Sequence, residues 1–215
     1  MQFKPHQKIE FIGDSITDCG RRDAAAPFGN GYVSIARALL LARYPERGLQ
    51  FANKGIGGNT VRDLAARWEQ DVINERPDWL SVMIGINDVW RAFDGRPENA
   101  VPLDEYEATL RKLLDRAVAA TGARLILMEP YMIEPSPAQP MRREMDRYGA
   151  VVQAIAADYN AILVRTQAAF DTALQHTTPD DWAQDRIHPN LPGHAIIALA
   201  WLRAVGFTVA EEGGA

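Results

Sequence analysis

The sequence predicts an α/β fold in which a parallel sheet is covered by helices on both faces. Short apolar runs bounded by turn residues alternate about five times with helical patterns, which is typical of this class. The runs are continuous rather than alternating, as expected for strands that are buried on both faces. Sites in such folds lie at the carboxyl ends of the strands, so the residues that follow each run are the first functional candidates.

Five segments are predicted to be buried strands. Each is a brief apolar run that stops at turn residues, and they cover residues 8–13, 49–54, 79–85, 124–129 and 161–166. Two long loops, 87–103 and 130–140, follow strands and are expected to form pocket walls.

Four helices are predicted between and after these strands, over 60–75, 104–120, 141–159 and 192–206. In the first, Thr60 and Asp63 form an N-terminal capping pattern. The first three helices each carry one apolar stripe. In the helix over 60–75 it is Val61, Leu64, Ala65, Trp68 and Val72. In the helix over 104–120 it is Tyr106, Leu110, Leu113, Leu114 and Ala117, and in the helix over 141–159 it is Met141, Met145, Tyr148, Val152 and Ile155. The last helix is apolar almost all round and is expected to be well buried.

The composition is that of one globular domain spanning 1–215, with 47% hydrophobic and 24% charged residues. A net charge of -5 argues against a nucleic-acid partner, which would need a basic surface. The longest apolar stretch is eight residues from Ala195, far short of the roughly 20 that span a membrane. No signal-peptide pattern is present at the N-terminus, so a cytoplasmic protein is expected, with a disordered tail at 211–215.

Polar residues follow the predicted strands in four segments of the chain. They are "GDS" (13–15), "NKGIGGNT" (53–60), "GIND" (85–88) and, after the last strand and its helix, "DRIHPN" (185–190). If the fold is as predicted, these segments converge on one rim of the sheet.

Ser15 lies after a strand and before a helix, where a serine taken alone is more often a helix N-cap than a nucleophile. A nucleophilic serine needs a base, and that base needs a carboxylate to orient it. Asp185 and His188 are three residues apart and can lie on one side of a turn, although a surface pair is the simpler explanation of these two alone. The order Ser, Asp, His is that of other α/β serine hydrolases, but the absence of a G-x-S-x-G elbow disfavours the α/β-hydrolase fold itself.

Acyl transfer also requires hydrogen-bond donors for a developing oxyanion. The candidates are the main-chain N–H groups of Ser15 and Gly58 and the side-chain amide of Asn87. Individually, Gly58 is also explained by a plain turn and Asn87 by an Asx-turn, so the prediction depends on all the segments occurring together.

Together the four segments resemble the SGNH hydrolases, also called the GDSL esterase/lipase superfamily, over nearly the whole chain from Gly13 to His188. The family's four namesake residues match Ser15, Gly58, Asn87 and His188, with "GDSIT" where many members carry "GDSL". The resemblance implies a three-layer, flavodoxin-like α/β/α sandwich with about five parallel strands. It implies a nucleophile at Ser15, a base at His188 oriented by Asp185, and an oxyanion hole formed by Ser15, Gly58 and Asn87.

Within the superfamily the chain is most similar to bacterial intracellular carbohydrate acetylesterases, including acetyl-xylan esterases. The supporting runs are "FIGDSITDCGR", "NKGIGGNTVRDLAARW", "MIGINDVWR" and "MRREMDRYG". The similarity implies a serine carboxylesterase that deacetylates short acetylated xylo-oligosaccharides through an acetyl-enzyme, without a metal or an organic cofactor. Trp90, Arg91 and Trp182 are candidate substrate-binding residues, and Gln184 stands where an aromatic residue can precede the last aspartate.

Three alternatives stay open. One is a lysophospholipase or acyl-thioesterase with the same chemistry, and another is a carbohydrate-binding protein with a silent site. The third is a Mg²⁺ phosphohydrolase using Asp14, Asp18, Asp88 and Asp185, although a capping role suits Asp14 better.

Cys19 is expected to be a spectator because no histidine lies at a telling spacing, and His194 is expected to be structural. The apolar surface of the last helix and the long loops predicts a homo-oligomer.

Overall fold

The computed structural model describes residues 1–208, and within them five parallel strands form one sheet. The strands are β1 (Lys8–Gly13), β2 (Gln50–Gly55), β3 (Trp79–Met83), β4 (Arg124–Met128) and β5 (Ile162–Val164). The sheet order is β2-β1-β3-β4-β5, and every neighbouring pair is parallel. The predicted α/β class and the five-stranded parallel sheet are confirmed; the prediction for 211–215 lies outside the described residues.

Eight α-helices occur in the described part of the chain, and they pack in two sets. They are α1 (Ser15–Asp18), α2 (Tyr32–Arg43), α3 (Val61–Trp68), α4 (Ile86–Trp90), α5 (Leu103–Thr121), α6 (Pro140–Asp158), α7 (Thr166–Leu174) and α8 (Leu191–Ala204). Helix α2 contacts α8, which contacts α7, whereas α3 contacts α5, which contacts α6. The two sets give the outer layers of the predicted three-layer sandwich.

Several helical features differ from the sequence-based prediction. Helices α2 and α7 were not predicted, and α4 occupies the start of the segment that was expected to be a loop, 87–103. Helix α3 runs directly into one turn of π-helix, Glu69–Ile73. No helix within residues 1–208 is long and apolar enough to cross a membrane.

The helix stripes form the core almost as predicted. All five stripe residues of α5 and all five of α6 are buried. So are four of the five in the first predicted stripe, which runs through α3 into the π-turn that follows it. Ala65 is exposed because the buried face of α3 follows Val61, Leu64 and Trp68, and Ala65 lies beside it. The expectation that the last helix is well buried was wrong in part, since Leu199 is 53% exposed.

The strand order places a topological switch point between β1 and β3, because β2 pairs with one side of β1 and β3 with the other. Ligands of open α/β sheets bind at such a point, beyond the carboxyl ends of the strands. Gly13 ends β1 against Gly55 of β2 and Met83 of β3. A Cβ at Gly13 would lie 2.2 Å from the Met83 carbonyl oxygen, so only glycine allows this close approach.

Candidate active site

Ser15 is the first residue of α1, but the cap of that helix is its neighbour. The Asp14 carboxylate accepts a hydrogen bond from the Ile16 N–H at 3.0 Å and serves as the N-cap. The Ser15 hydroxyl is therefore not needed for capping and points to another element. The capping explanation of Ser15 is excluded, and the capping role expected for Asp14 is confirmed.

The Ser15 hydroxyl meets a histidine that is held by a carboxylate. Ser15 Oγ lies 2.9 Å from His188 Nε2, and His188 Nδ1 lies 2.6 Å from Asp185 Oδ2. The second oxygen of Asp185 accepts the N–H groups of Ile187 at 3.0 Å and His188 at 2.8 Å. Partial burial opposes ionisation of Asp185, but these hydrogen bonds outweigh it and hold the pKa of the carboxyl below its ordinary value. A carboxylate is thus fixed against the histidine.

The loop that carries Asp185 and His188 is bound to the segment 130–140 by hydrogen bonds and an ion pair. The Ile133 N–H donates to the Arg186 carbonyl at 2.9 Å, and the Arg186 guanidinium is paired with Glu134. The Tyr131 hydroxyl donates to the Ile187 carbonyl at 3.3 Å. The segment that was expected to be a pocket wall therefore supports the histidine loop.

Gly58 and Asn87 are the other two donors that the sequence predicts, and Gly57, the residue before Gly58, adjoins Ser15: a Cβ on Gly57 would lie 3.8 Å from Ser15 Cβ. Gly58 has a φ of +82°, a conformation that favours glycine, and its N–H meets no protein acceptor within residues 1–208. The side-chain amide of Asn87, in α4, donates to the Asn59 carbonyl at 3.0 Å. A primary amide carries two N–H bonds, so one remains for another acceptor.

Trp90 and Arg91 both lie at this site. The Trp90 ring meets the His188 ring edge to face, with centroids 5.8 Å apart. Arg91 pairs with Asp94 at 3.0 Å, and its Nη2 lies 3.6 Å from where a Cβ on Gly58 would stand.

Trp182 is placed differently from these two residues. Its indole N–H donates to the Thr177 hydroxyl at 2.7 Å and its carbonyl accepts from Asn190, the N-cap of α8. None of its hydrogen bonds or ring contacts within the described residues reaches Ser15, Asp185 or His188.

The other face of α4 lines a separate cavity of about 900 Å³. Its walls include Val89, Phe93, Leu103, Arg143 and Tyr148. The segment 87–103 is therefore a pocket wall, as predicted. It lines this cavity and, through Trp90, also contacts His188.

The aspartates near Ser15 have local structural partners. Asp88 accepts the N–H of Val61, the first residue of α3, at 2.9 Å. Asp18 binds the Arg22 guanidinium and the Gly57 N–H. Burial raises the pKa of Asp14 and of Asp88 to about 7. Within residues 1–208, no group of three or more His, Cys, Asp or Glu side chains is arranged to hold a metal ion.

Cys19 and His194 form a contact that sequence spacing did not reveal. Cys19 Sγ lies 3.2 Å from His194 Nε2 and donates to Asn30 Oδ1 at 3.0 Å, while His194 Nδ1 accepts the Tyr32 N–H at 3.2 Å. Burial raises the pKa of the Cys19 thiol and lowers that of His194 to about 4, so burial favours the uncharged form of each group. Cys19 therefore has a histidine partner 175 positions away in the chain, although its expected role as a spectator stays a prediction. The structural role expected for His194 agrees with these contacts.

A serine that contacts a histidine paired with a carboxylate, at the switch point of a doubly wound sheet, is the arrangement of a serine hydrolase. The GDSL-like Lipase/Acylhydrolase family matches residues 11–196, so the chain belongs to this family, whose members are also called SGNH hydrolases, and is a carboxylic ester hydrolase. The predicted superfamily is confirmed.

Two relatives with similar sequences are an esterase and a thioesterase by name. The chain is 52% identical to an acetylxylan esterase from Geobacillus stearothermophilus, over 96% of this chain and 97% of that protein. The crystal structure of that esterase covers 99% of this chain and 100% of its own, with a TM-score of 0.95 and 50% identity. A thioesterase 1/protease 1/lysophospholipase L1 from Escherichia coli is 27% identical over 87% of this chain and 77% of its own length.

Proposed function

We propose that this esterase removes acetyl groups from short acetylated xylo-oligosaccharides, with Ser15 as nucleophile, His188 as base and Asp185 as the residue that orients it. The observation that carries the proposal is the continuous chain of contacts from Ser15 Oγ through both nitrogens of His188 to Asp185. The acyl group and sugar are taken from the similarity to the Geobacillus acetylxylan esterase.

Reaction begins when His188 Nε2 accepts the Ser15 proton and the Ser15 oxygen attacks the ester carbonyl. The Asp185 carboxylate stabilises the imidazolium that forms and keeps its Nδ1 proton directed away from the substrate. His188 then gives the proton to the departing sugar oxygen, leaving an acetyl group on Ser15. Water then gives a proton to His188 as its oxygen attacks the acetyl carbonyl. The bond between the acetyl carbon and Ser15 Oγ breaks, His188 returns the proton to Ser15 Oγ, and acetate leaves.

The tetrahedral oxyanion is bound by the N–H groups of Ser15 and Gly58 and by the free N–H of the Asn87 amide. All three donors belong to elements that are fixed before substrate arrives, namely α1, the turn after β2, and α4. Donors held in place in this way lower the barrier because they need no reorganisation during the reaction. The mechanism calls for no metal or organic cofactor.

Trp90 and Arg91 are the substrate-binding residues in this proposal. Trp90 lies against His188 and offers an aromatic face to a sugar ring, and Arg91 stands beside Gly58. Trp182 is kept only as a weaker candidate, because its indole donor is already bound to Thr177.

The test is acetate release from peracetylated xylobiose in the presence of EDTA, by the wild type and by Ser15→Ala. The variant is expected to lose at least about 10³-fold in kcat, as for the loss of a nucleophile. Ser34→Ala, a half-buried serine of α2, is the matched control and should retain full activity. Equal activity of wild type and Ser15→Ala would overturn the triad, and loss of activity in EDTA would indicate a metal enzyme instead.

A second candidate is a lysophospholipase or acyl-thioesterase, which the Escherichia coli relative favours by its name. A series of nitrophenyl esters from two to twelve carbons separates the two. We expect the highest kcat/KM for the acetyl ester. A maximum at eight or more carbons would favour the second candidate, and sugar binding without turnover of any ester would indicate a silent carbohydrate-binding protein.

Location and assembly are further proposals. We expect the protein to act in the cytoplasm on imported oligosaccharides, and to form a homo-oligomer through apolar surface such as Leu191 and Leu199 of α8. Light scattering tests the assembly, and a single species at the chain mass of 23.9 kDa would contradict it.

A further inference from the structure

We propose that Arg67 is a positioning residue that holds all three oxyanion donors in place. The inference rests on the proposed function, because it assigns Arg67 to the same site. Arg67 lies near the end of α3 and contacts none of the groups that touch the substrate, so it acts through other residues.

The Arg67 side chain is 14% exposed, and each of its three nitrogens donates to a different part of the rim. Nη2 donates to the Gly13 carbonyl at 3.0 Å, Nη1 to the Lys54 carbonyl at 2.7 Å, and Nε to Asn59 Oδ1 at 2.8 Å. Nη1 is also paired with Asp71 Oδ2 at 2.7 Å. One guanidinium thus joins the carboxyl ends of β1 and β2 to the turn that follows β2.

Two of these three anchors, Gly13 and Asn59, are close in the chain to proposed donors. Gly13 comes two residues before Ser15, and Asn59 directly follows Gly58. The Asn59 carbonyl in turn accepts the Asn87 amide at 3.0 Å. A shift of the guanidinium would therefore move the N–H groups of Ser15 and Gly58 and the amide of Asn87 relative to one another.

An arginine suits this position because three separate acceptors are bound by one planar group of donors. The guanidinium presents five N–H bonds in fixed directions, whereas a lysine ammonium is a single point that cannot reach three separated acceptors. Asp71 accepts from the same guanidinium and fixes its plane. Asp71 belongs to the π-turn Glu69–Ile73, and such turns are frequent near functional sites.

Arg67→Lys and Asp71→Asn are the two test variants, because the first keeps the charge and the second keeps the size of the side chain. The substrate is the nitrophenyl ester that the wild type cleaves fastest. We expect Arg67→Lys to lose about 10- to 100-fold in kcat with KM changed by less than about threefold, since displaced donors weaken binding of the transition state and spare the ground state. Asp71→Asn should show the same pattern with a smaller loss.

The decisive measurement is inhibition by an alkylboronic acid, which forms a tetrahedral adduct on a serine and imitates the intermediate. Its inhibition constant should rise by the same factor as kcat/KM falls, whereas a purely structural role would lower the melting temperature and leave the folded enzyme's inhibition unchanged. Arg47→Lys is the matched control. That arginine also binds a main-chain oxygen, of Phe3, and a carboxylate, of Glu46. It lies before the amino end of β2, whereas Arg67 binds at the carboxyl ends of the strands.

The outcomes separate the two proposals. Wild-type kcat in both Arg67→Lys and Asp71→Asn, or an unchanged boronate inhibition constant in a variant with reduced kcat, overturns the role of Arg67 while the triad stands. A wild type that cleaves no ester overturns the proposed function and the role of Arg67 together. If Arg67→Lys fails to fold, Asp71→Asn alone decides between the expected kcat loss and none.

Discussion

The side-chain amide of Asn87 donates to the main-chain oxygen of Asn59 at 3.0 Å, which ties the segment after β3 to the turn after β2. The contact fixes the plane of the amide, because the same nitrogen carries both the bound N–H and the free one. Asn87 is buried, so its free N–H has few other directions in which to point. The orientation of this donor is therefore set by the protein before a substrate arrives.

We predict that Asn87→Ala lowers kcat by about 10²–10³-fold, the loss typical of one oxyanion donor, with a much smaller effect on KM. Steady-state hydrolysis of nitrophenyl acetate measures both constants. Asn74→Ala, at an exposed asparagine near the end of the π-turn, is the control and should behave as wild type. A rate loss below about threefold in Asn87→Ala would exclude this amide from the oxyanion hole.

Asp185→Asn tests the proposed orientation of His188. The amide can accept or donate at the position facing His188 Nδ1, so it permits the wrong tautomer, and a change of this kind in another serine hydrolase costs about 10⁴-fold in kcat. We expect a loss of that order at neutral pH with the fold intact, measured by kcat and by circular dichroism. Asp180→Asn, at an exposed aspartate of the preceding turn, is the matched control. Activity within tenfold of wild type would contradict the assigned role.

The sheet and the rim could be predicted from the sequence because strands buried on both faces leave continuous apolar runs, and parallel strands all end at the same edge. The apolar stripes of α5 and α6 could also be predicted, since each helix is buried on one side and exposed to solvent on the other. Helix α2 was missed because it is apolar in sequence on most sides, so the run from Tyr32 shows weak periodicity.

The site divides in the same way. Ser15, Asp185 and His188 lie in short segments whose residue types and order predict a serine hydrolase site. Contacts between distant segments leave no such mark: Cys19 meets His194 across 175 positions, and Arg67 reaches Gly13 across 54. Only the fold reveals these pairs, because neither residue type nor spacing singles out the partner.

His194 is predicted to matter for stability rather than for catalysis. In His194→Ala the Tyr32 N–H loses its acceptor and the ring leaves a cavity, which together should cost about 2–4 kcal/mol. We expect a clearly lower melting temperature, with kcat at 20 °C within about threefold of wild type. His176→Ala, at an exposed histidine, should change neither quantity. A large loss of kcat in stably folded His194→Ala would instead place the Cys19–His194 contact in the catalytic machinery.

Glu10 predicts a dependence of stability on pH that is separate from the active site. It lies fully buried in β1, neither of its carboxyl oxygens has a hydrogen-bond partner within residues 1–208, and Lys8 Nζ is 3.9 Å away. Burial raises its pKa from 4.5 to about 8, against the charges of Lys8 and Lys54, while Glu75 and Asp71 add to the increase. The folded protein therefore keeps this carboxyl protonated at pH values where the unfolded chain has lost the proton.

It follows that the contribution of Glu10 to stability is complete below about pH 4.5 and is lost as the pH rises toward 8. Gln has the shape of the protonated form and does not titrate, so Glu10→Gln should melt near the wild-type temperature at pH 5 and several degrees higher at pH 9. Thermal unfolding followed by circular dichroism at pH 5, 7 and 9 measures the difference. Glu46→Gln, at an exposed glutamate, is the control and should show no such trend. A constant difference between Glu10→Gln and wild type across this range would mean that Glu10 is ionised in the folded protein, with Lys8 and Lys54 offsetting its burial.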